Sequence, residues 1–156
     1  MKVVTIIDED FINYKKASMY IAFPKCSFKC GEGLCQNSPL AKQKRIEVDD
    51  ESIVVRYLRN TYTDAIVFAG LEPFDDYIDM VNLISIFRKL TQDDIVIYTG
   101  YNKDEIESKI NCLKDDYGFN NIIIKFGRYI PNQEPHYDEV LGVNLASDNQ
   151  YAERIC

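Results

Sequence analysis

Three short apolar runs, each followed by a glycine, divide the second half of the chain and constrain its fold most strongly. The runs cover residues 65–68, 95–98 and 122–126, and a glycine lies within two residues of each run. Such runs are typical of strands that are buried on both faces of a parallel sheet. Apolar residues at helical spacing separate them, so the pattern predicts right-handed strand–helix–strand crossovers in an α/β fold.

Three stretches of the chain repeat apolar residues at helical spacing. The first follows a possible N-cap at Asp49 or Asp50 and predicts a helix to about Asn60. In the last stretch, Asn102 and Glu105 form a capping-box pattern that marks the start of a helix. The predicted buried stripes are Ile53, Val54, Tyr57 and Leu58; Ile78, Val81, Ile84, Phe87 and Leu90; and Ile106, Ile110, Leu113 and Tyr117.

The N-terminal part has a weaker pattern. Residues 19–23 predict a buried strand that Pro24 stops, and residues 3–7 predict an edge strand. Between them, residues 8–17 are polar and are predicted to be irregular.

The connections and the C-terminal part also lack strong periodicity. Residues 38–48 are a polar connection, and the segment after residue 128 is predicted to be an irregular tail with a hairpin around residues 140–145. Because the chain has 156 residues, we expect a single domain over residues 1–156.

Three of the five cysteines fall within ten residues, directly after the strand that ends at Pro24. Cys26, Cys30 and Cys35 are separated by three and then four residues. Thiolates are soft ligands, so this loop can hold an iron–sulfur cluster or a zinc ion. Three ligands leave one iron of a four-iron cluster open to a substrate, whereas a structural site normally has a fourth ligand. An odd, unevenly spread cysteine count also fits metal ligation better than disulfides.

The unusual residues of the chain all follow predicted strand ends. The cysteine loop follows the strand at 19–23, and residues 69–73, 99–101 and 127–129 follow the next three strands. Because ligands bind beyond the carboxyl ends of strands in open parallel sheets, we expect one site at this rim.

Charge and hydropathy exclude some classes of partner. The chain has 18 basic and 25 acidic residues and a net charge of −7, which argues against a nucleic-acid partner. No apolar run approaches the ~20 residues needed to span a bilayer, and the N-terminus lacks the features of a signal peptide. We therefore expect a cytoplasmic protein with reduced thiols and no membrane association.

Five segments resemble motifs of the radical S-adenosylmethionine (SAM) enzymes. They are the cysteine loop with Gln36-Asn37, then Phe-Ala-Gly-Leu-Glu-Pro at 68–73, Ile-Tyr-Thr-Gly-Tyr at 97–101, Phe-Gly-Arg-Tyr at 126–129 and Ser-Asp-Asn-Gln at 147–150. In this order they resemble the activating proteins of anaerobic (class III) ribonucleotide reductases, over roughly residues 20–155. The spacing in that family is three then two residues, so the longer loop here is expected to bulge around residues 31–33. Leu71 stands where the family has a second glycine.

The resemblance implies a fold, a chemistry and partners. The fold would be a small, incomplete parallel (βα) barrel-like sheet with an irregular C-terminal tail. Cys26, Cys30 and Cys35 would hold a [4Fe–4S] cluster whose open iron chelates SAM. One electron, from a donor such as flavodoxin or ferredoxin, would cleave SAM to methionine and a 5′-deoxyadenosyl radical. That radical would take a hydrogen from a glycine of the partner, an anaerobic ribonucleotide reductase, and leave a glycyl radical there.

The resemblance also assigns residues to SAM binding. These are Leu34, Gly70, Leu71, Glu72, Tyr98 and Thr99. Leu34 would lie against the adenine, and Tyr98 and Thr99 would contact the ribose or the adenine. Tyr98 has an alternative role as a core residue.

The remaining assignments concern the ends of SAM that carry charge. Gly70, with Leu71 beside it, would let the backbone approach the methionine part, and Glu72 would accept from the ammonium group. Glu72 could instead cap the helix that starts near Phe74. Lys125 and Arg128 could balance the SAM carboxylate or an acidic patch on the partner.

Two other functions stay open. A radical SAM enzyme could act on another protein or on a small molecule, although so short a chain leaves few residues to close a lid over a small substrate. A non-catalytic iron–sulfur or zinc protein would use the same cysteines for electron transfer or for structure.

Overall fold

A six-stranded sheet forms the centre of the computed structural model, which describes residues 1–31 and 33–156. The strands of the chain are β1 (Lys2–Val3), β2 (Thr5–Asp10), β3 (Ser18–Phe23), β4 (Ile46–Glu47), β5 (Ala65–Gly70), β6 (Asp94–Tyr98), β7 (Ile122–Phe126), β8 (His136–Asp138), β9 (Val143–Leu145) and β10 (Tyr151–Arg154). The α-helices are α1 (Ser38–Ala41), α2 (Asp50–Arg59), α3 (Tyr77–Arg88) and α4 (Glu107–Asn111). Short 3₁₀ turns at Pro73–Asp76 and Lys103–Ile106 lead into α3 and α4, and a π-helical turn at Cys112–Asp116 follows α4.

The central sheet has the strand order β10–β7–β6–β5–β3–β2. Its four inner strands run parallel, and the outer strands β2 and β10 pair antiparallel with their neighbours. Phe68 of β5 lies between Ile21 of β3 and Ile97 of β6 in the register. The three apolar runs therefore pair as predicted. The six strands form an open sheet, and the barrel-like arrangement implied by the resemblance stays a prediction.

The two faces of this sheet are covered differently. Helices α2, α3 and α4 pack on one face, against side chains such as Ile66 and Phe68. The other face is covered by the loop that carries Tyr14 and by the hairpin β8–β9, which pack on Val67 and its neighbours. Because successive residues of a strand point to opposite faces, β5 contributes to both cores.

Two predicted helix starts are confirmed. The side chain of Asp49 accepts from the backbone N–H of Ser52 at 2.9 Å and caps α2. The carboxylate of Glu105 accepts from the backbone N–H of Asn102 at 2.8 Å, as a capping box requires.

Four residues predicted to be buried lie on the surface: Leu58, Ile78, Leu90 and Tyr117. Ile78 is in the first turn of α3 and is 75% exposed, and Leu90 follows the end of α3. A π turn precedes Tyr117 and rotates it away from the stripe, where it stacks on Phe119 with ring centroids 5.2 Å apart. The predictions were wrong because an uninterrupted α-helical period was assumed at the ends of the helices.

Segments predicted to be irregular contain further strands. β2 continues to Asp10, the 38–48 connection contains α1 and β4, and the tail contributes both the predicted hairpin and β10. The prediction of an irregular C-terminal tail was therefore wrong. Edge strands need only one apolar side, so the polar sequences of β2 and β10 gave no buried-strand signal.

The described part of the chain contains no helix with the length and apolarity needed to cross a membrane.

Asp94, at the start of β6, joins segments from both ends of the chain. Its carboxylate accepts from the hydroxyl of Tyr14 (2.9 Å), the ammonium of Lys16 (2.8 Å) and the guanidinium of Arg154 (2.8 Å). Burial alone would raise the pKa of Asp94, but these hydrogen bonds outweigh burial and lower the pKa to about 2.

We expect Asp94→Asn to lower the free energy of unfolding at pH 7 by about 1–2 kcal/mol, after allowing for the solvent exposure of the two cations. Since the folded pKa lies below the unfolded one, this stabilisation is complete above about pH 4 and is lost as the pH falls to about 2. Urea denaturation of both proteins between pH 2 and pH 7 measures the difference.

Glu134→Gln is the matched control, because Glu134 is exposed and forms no ion pair within the described residues. A difference between wild type and Asp94→Asn that does not shrink in acid would contradict the assignment.

Candidate functional site

A cavity of about 520 Å³ opens at the carboxyl ends of the parallel strands, on the face of the sheet opposite α2, α3 and α4. Its volume is within the range of small-molecule sites. The residues predicted for the site that line this cavity are Cys26, Cys30, Cys35, Gly70, Leu71, Glu72, Tyr98, Thr99, Lys125 and Arg128. Leu34 is not part of the wall and is 58% exposed, so the structure does not place it with the others.

The three cysteines of the loop are half-buried in the wall of this cavity. The backbone N–H of Phe28 donates to Sγ of Cys26 at 3.2 Å. Burial raises the pKa of Cys26 to about 11, and burial together with the neighbouring Cys35 thiol raises the pKa of Cys30. Their thiolate forms are therefore costly until a bound cation shares the charge.

Two contacts attach the cysteine loop to the end of β5. The side chain of Asn37 donates to the carbonyl oxygen of Gly70 at 2.7 Å. The backbone N–H of Glu72 donates to the carbonyl oxygen of Lys25 at 2.8 Å. Glu32 lies outside the described residues, and so does the predicted bulge around it.

A third attachment, which the sequence did not reveal, involves Asp75 in the turn before α3. Its carboxylate accepts from the backbone N–H of Ser27 and from the hydroxyl of Tyr101, the latter at 2.6 Å. The ammonium of Lys29 lies 4.6 Å from the centre of the Tyr101 ring. The loop is thereby tied to residues that follow two different strands.

Glu72 is almost fully buried and its carboxylate is fully used within the protein. It accepts from the backbone N–H of Phe74 (3.1 Å) and Gly100 (2.8 Å) and from the hydroxyl of Thr99 (2.8 Å). Burial raises the pKa of Glu72 to about 7, although these three hydrogen bonds act to lower that pKa. The side chain thus has the capping role that the sequence left open. It also links the ends of β5 and β6, while contact with SAM stays a prediction.

Lys125 of β7 is a buried cation in the cavity wall, 6% exposed. Within the described residues, its Nζ donates to the carbonyl oxygen of Gly127 at 2.8 Å and pairs with no carboxylate. It lies 5.9 Å from the centre of the Tyr98 ring. Burial lowers the pKa of Lys125 to about 8. The charge of Glu72 opposes this lowering, but within the described residues no carboxylate contacts the ammonium. Burying a cation in this way costs free energy, which an anionic ligand would recover.

The remaining motif residues hold the end of β7 in place at the cavity wall. Arg128 donates to Glu105 at 2.6 Å. The side chain of Asn149 donates to the carbonyl oxygen of Arg128 (2.9 Å), and that of Gln150 donates to the carbonyl oxygen of Gly127 (3.2 Å). Asn149 and Gln150 therefore hold the turn after β7 in place.

Two cavity residues in the segment 8–17 were not predicted from the sequence. Asp10 and Asn13 line the cavity, and the carboxylate of Asp10 accepts from the backbone N–H of Asn13 at 3.1 Å. The hydroxyl of Tyr98 donates to the carbonyl oxygen of Asn13 at 2.6 Å. The sequence feature that could have indicated this turn is the Asp-x-x-Asn spacing, because the side chain of an aspartate can accept from a backbone N–H a few residues later.

A family model described as "4Fe-4S single cluster domain" matches residues 15–142, which is most of the chain. The chain belongs to this family. The match covers the cysteine loop and the four parallel strands, and it bears out the predicted [4Fe–4S] cofactor. No curated protein and no solved structure matches the chain.

The donor set of the cavity fits an iron–sulfur cluster of this family. Three thiols line one wall, and one of them already accepts an N–H hydrogen bond of the kind that tunes cluster sulfurs. Within the described residues, no three His, Cys, Asp or Glu side chains converge on a single-ion site.

At Gly70, the backbone at the end of β5 comes very close to the backbone at the end of β3. Its φ is +92°, and a Cβ there would lie 2.7 Å from Cα of Ala22 and 2.8 Å from the backbone nitrogen of Phe23. Neither backbone atom can move without disturbing the pairing of β3 and β5. We expect Gly70→Ala to lower the free energy of unfolding by about 2–4 kcal/mol in the cluster-free protein, measured by urea denaturation.

Gly33→Ala, in the cysteine loop, is the matched control because, its chain neighbours aside, no atom of the described residues lies within 4 Å of its added Cβ. We expect it to change stability by less than about 0.5 kcal/mol. Equal stability of the two variants would show that the close approach at Gly70 is not required.

Proposed function

We propose that this chain is a radical SAM activase that installs a glycyl radical on an anaerobic ribonucleotide reductase. Cys26, Cys30 and Cys35 hold the [4Fe–4S] cluster, and SAM occupies the cavity beside it. The observation that carries the proposal is the cavity itself, which joins three half-buried thiols to a buried lysine that contacts no carboxylate of residues 1–31 and 33–156. The ordered motifs of the sequence support the class of reaction.

The chemistry supplied by the bound, reduced cluster is one electron for the reductive cleavage of the carbon–sulfur bond of SAM. The protein binds and orients SAM. Lys125 offers an ammonium group to the carboxylate of SAM from the cavity wall. Gly70 and Leu71 present backbone at the end of β5, and Glu72 keeps that end in register with Gly100.

The mouth of the cavity supports a protein substrate. Ile12 lines the cavity and is 77% exposed, and the adjacent Phe11 is also exposed. An apolar, uncovered entrance suits a segment of a partner protein, because a small molecule would be left in contact with water. A glycine of the partner reductase would give up its hydrogen there.

The proposed function is tested by anaerobic reconstitution with iron and sulfide, followed by reduction and addition of SAM. We expect methionine and 5′-deoxyadenosine, with none formed by Cys30→Ser because a cluster ligand is lost. Cys112→Ser is the matched control, since Cys112 lies in the π turn and does not line the cavity. Chromatography of the products measures both.

The outcomes separate the alternative functions. A reconstituted cluster without 5′-deoxyadenosine would indicate a non-catalytic iron–sulfur protein. Cleavage of SAM without a glycyl-radical spin signal on the reductase would indicate a different substrate. Equal cluster loss in Cys30→Ser and Cys112→Ser would contradict the ligand assignment.

The Lys125→Met substitution tests whether Lys125 contributes to the binding of SAM or to the stability of the fold. We expect the dissociation constant of SAM to rise more than tenfold, because a buried charge partner of the carboxylate is removed. Thermal stability should be unchanged or higher, because a buried cation without a counterion is also removed. Isothermal titration of the reconstituted protein and thermal denaturation measure the two effects.

Lys89→Met is the control, since Lys89 is exposed at the end of α3. Unchanged SAM affinity in Lys125→Met would exclude Lys125 from the SAM site.

A further inference from the structure

The guanidinium of Arg45 joins the two ends of the cysteine loop. Nε and Nη2 donate to the carbonyl oxygen of Pro24 at 3.2 and 2.9 Å. Nη1 donates to the carbonyl oxygens of Leu40 (3.2 Å) and Gln43, and Nη2 also donates to that of Ala41 (3.2 Å). One side chain thus contacts four backbone carbonyls.

These carbonyls flank the three cysteines in the sequence. Pro24 lies two residues before Cys26, and α1 begins three residues after Cys35. Backbone N–H groups already donate to the carbonyl oxygens of Pro39 and Leu40 at the end of α1. Arg45 adds a second donor to Leu40 and donates to the carbonyls of Ala41 and Gln43 beyond it. Leu40 of α1 also lines the cavity, so Arg45 holds a part of the cavity wall.

We propose that Arg45 is a positioning residue that closes the cysteine loop into the shape required for cluster binding. This inference depends on the proposed assignment of the cluster to this loop. Closing a loop of this length costs chain entropy, and contacts made before the cluster arrives remove that cost from binding. No carboxylate among the described residues forms an ion pair with Arg45, so its contacts are directed at the backbone.

The fork of donors in a guanidinium is essential to this role. Its planar group can donate to carbonyls on two sides at once, whereas a lysine ammonium is a compact charge that cannot span them. Arg45→Lys keeps the charge and removes the fork, and Arg45→Met removes both. The pair separates a geometric role from an electrostatic one.

Arg88 provides a matched control elsewhere in the fold. Its guanidinium donates to the carbonyl oxygens of Asn120 (3.0 Å), Asn121 (3.2 Å) and Thr91 (3.4 Å), and it does not line the cavity. Arg88→Lys therefore removes a comparable set of contacts without touching the cysteine loop.

The first measurement is amide hydrogen exchange of the cluster-free proteins. We expect Arg45→Lys and Arg45→Met to speed exchange within residues 26–42 by at least about tenfold, with unchanged exchange in β5–β7. Arg88→Lys should leave residues 26–42 unchanged. Exchange within residues 26–42 that matches wild type in both Arg45 variants would overturn the proposal.

The second measurement is the binding of the cluster. We expect both Arg45 variants to hold it about tenfold more weakly or worse in competition with a chelator, and to alter the spin-resonance spectrum of what remains. Arg88→Lys should match wild type in both respects. Full rescue by Arg45→Lys would show that charge suffices and would overturn the geometric role.

Failure of the proposed function is distinguishable from failure of this inference. A wild-type protein that takes up no cluster at this loop refutes the proposed function and the positioning role with it. A wild-type protein that binds a cluster, with Arg45→Lys binding it equally well, refutes the positioning role alone. If Arg45→Met does not fold, Arg45→Lys still tests the positioning role, because it keeps the positive charge at this position and removes only the fork of donors.

Discussion

The three longer helices pack on the same face of the central sheet, and loops with a hairpin cover the opposite face. This asymmetry creates the cavity. Strand residues that face the helices, such as Phe68, are large and fully enclosed, whereas Ala69 and Lys125 face the other side, where loops leave space. Because the four inner strands run parallel, all their carboxyl ends lie at the edge of that space. The cysteine loop then lies at its mouth because it directly follows β3.

Two ionisable side chains are buried near the cavity, and the free-energy cost of burying each charge is compensated in a different way. Glu72 is satisfied by three donors of the protein and fastens the ends of two strands. Lys125 has a single carbonyl acceptor within the described residues, and under the proposed function the carboxylate of SAM would match its charge. The first arrangement stabilises the fold, and the second would exchange stability for binding. A site of this kind needs both, since a ligand can be oriented only by a wall that does not move.

The sequence predicted the parts of this structure that depend on local periodicity and on chain order. The apolar runs of β5, β6 and β7 are recognisable because a strand covered on both faces has almost no polar residue. The rim follows from the order of strands and loops, and the three thiols follow from their spacing. The π turn before Tyr117 and the polar edge strand at Tyr151–Arg154 carry no such signal. The contacts of Asp75 and Arg45 join residues distant in sequence, which only the folded chain brings together.

Asp94 receives Tyr14 and Lys16 from the N-terminal segment and Arg154 from the last strand. These contacts span 80, 78 and 60 residues of sequence. Closing loops of that length costs chain entropy, which the pairing of the parallel strands between these segments helps to offset. Each terminal strand is also held by its own ladder, β2 on β3 and β10 on β7, so Asp94 adds to their stability and does not carry it alone. Through this one carboxylate the last strand is joined to the loop that places Asn13 in the wall of the cavity.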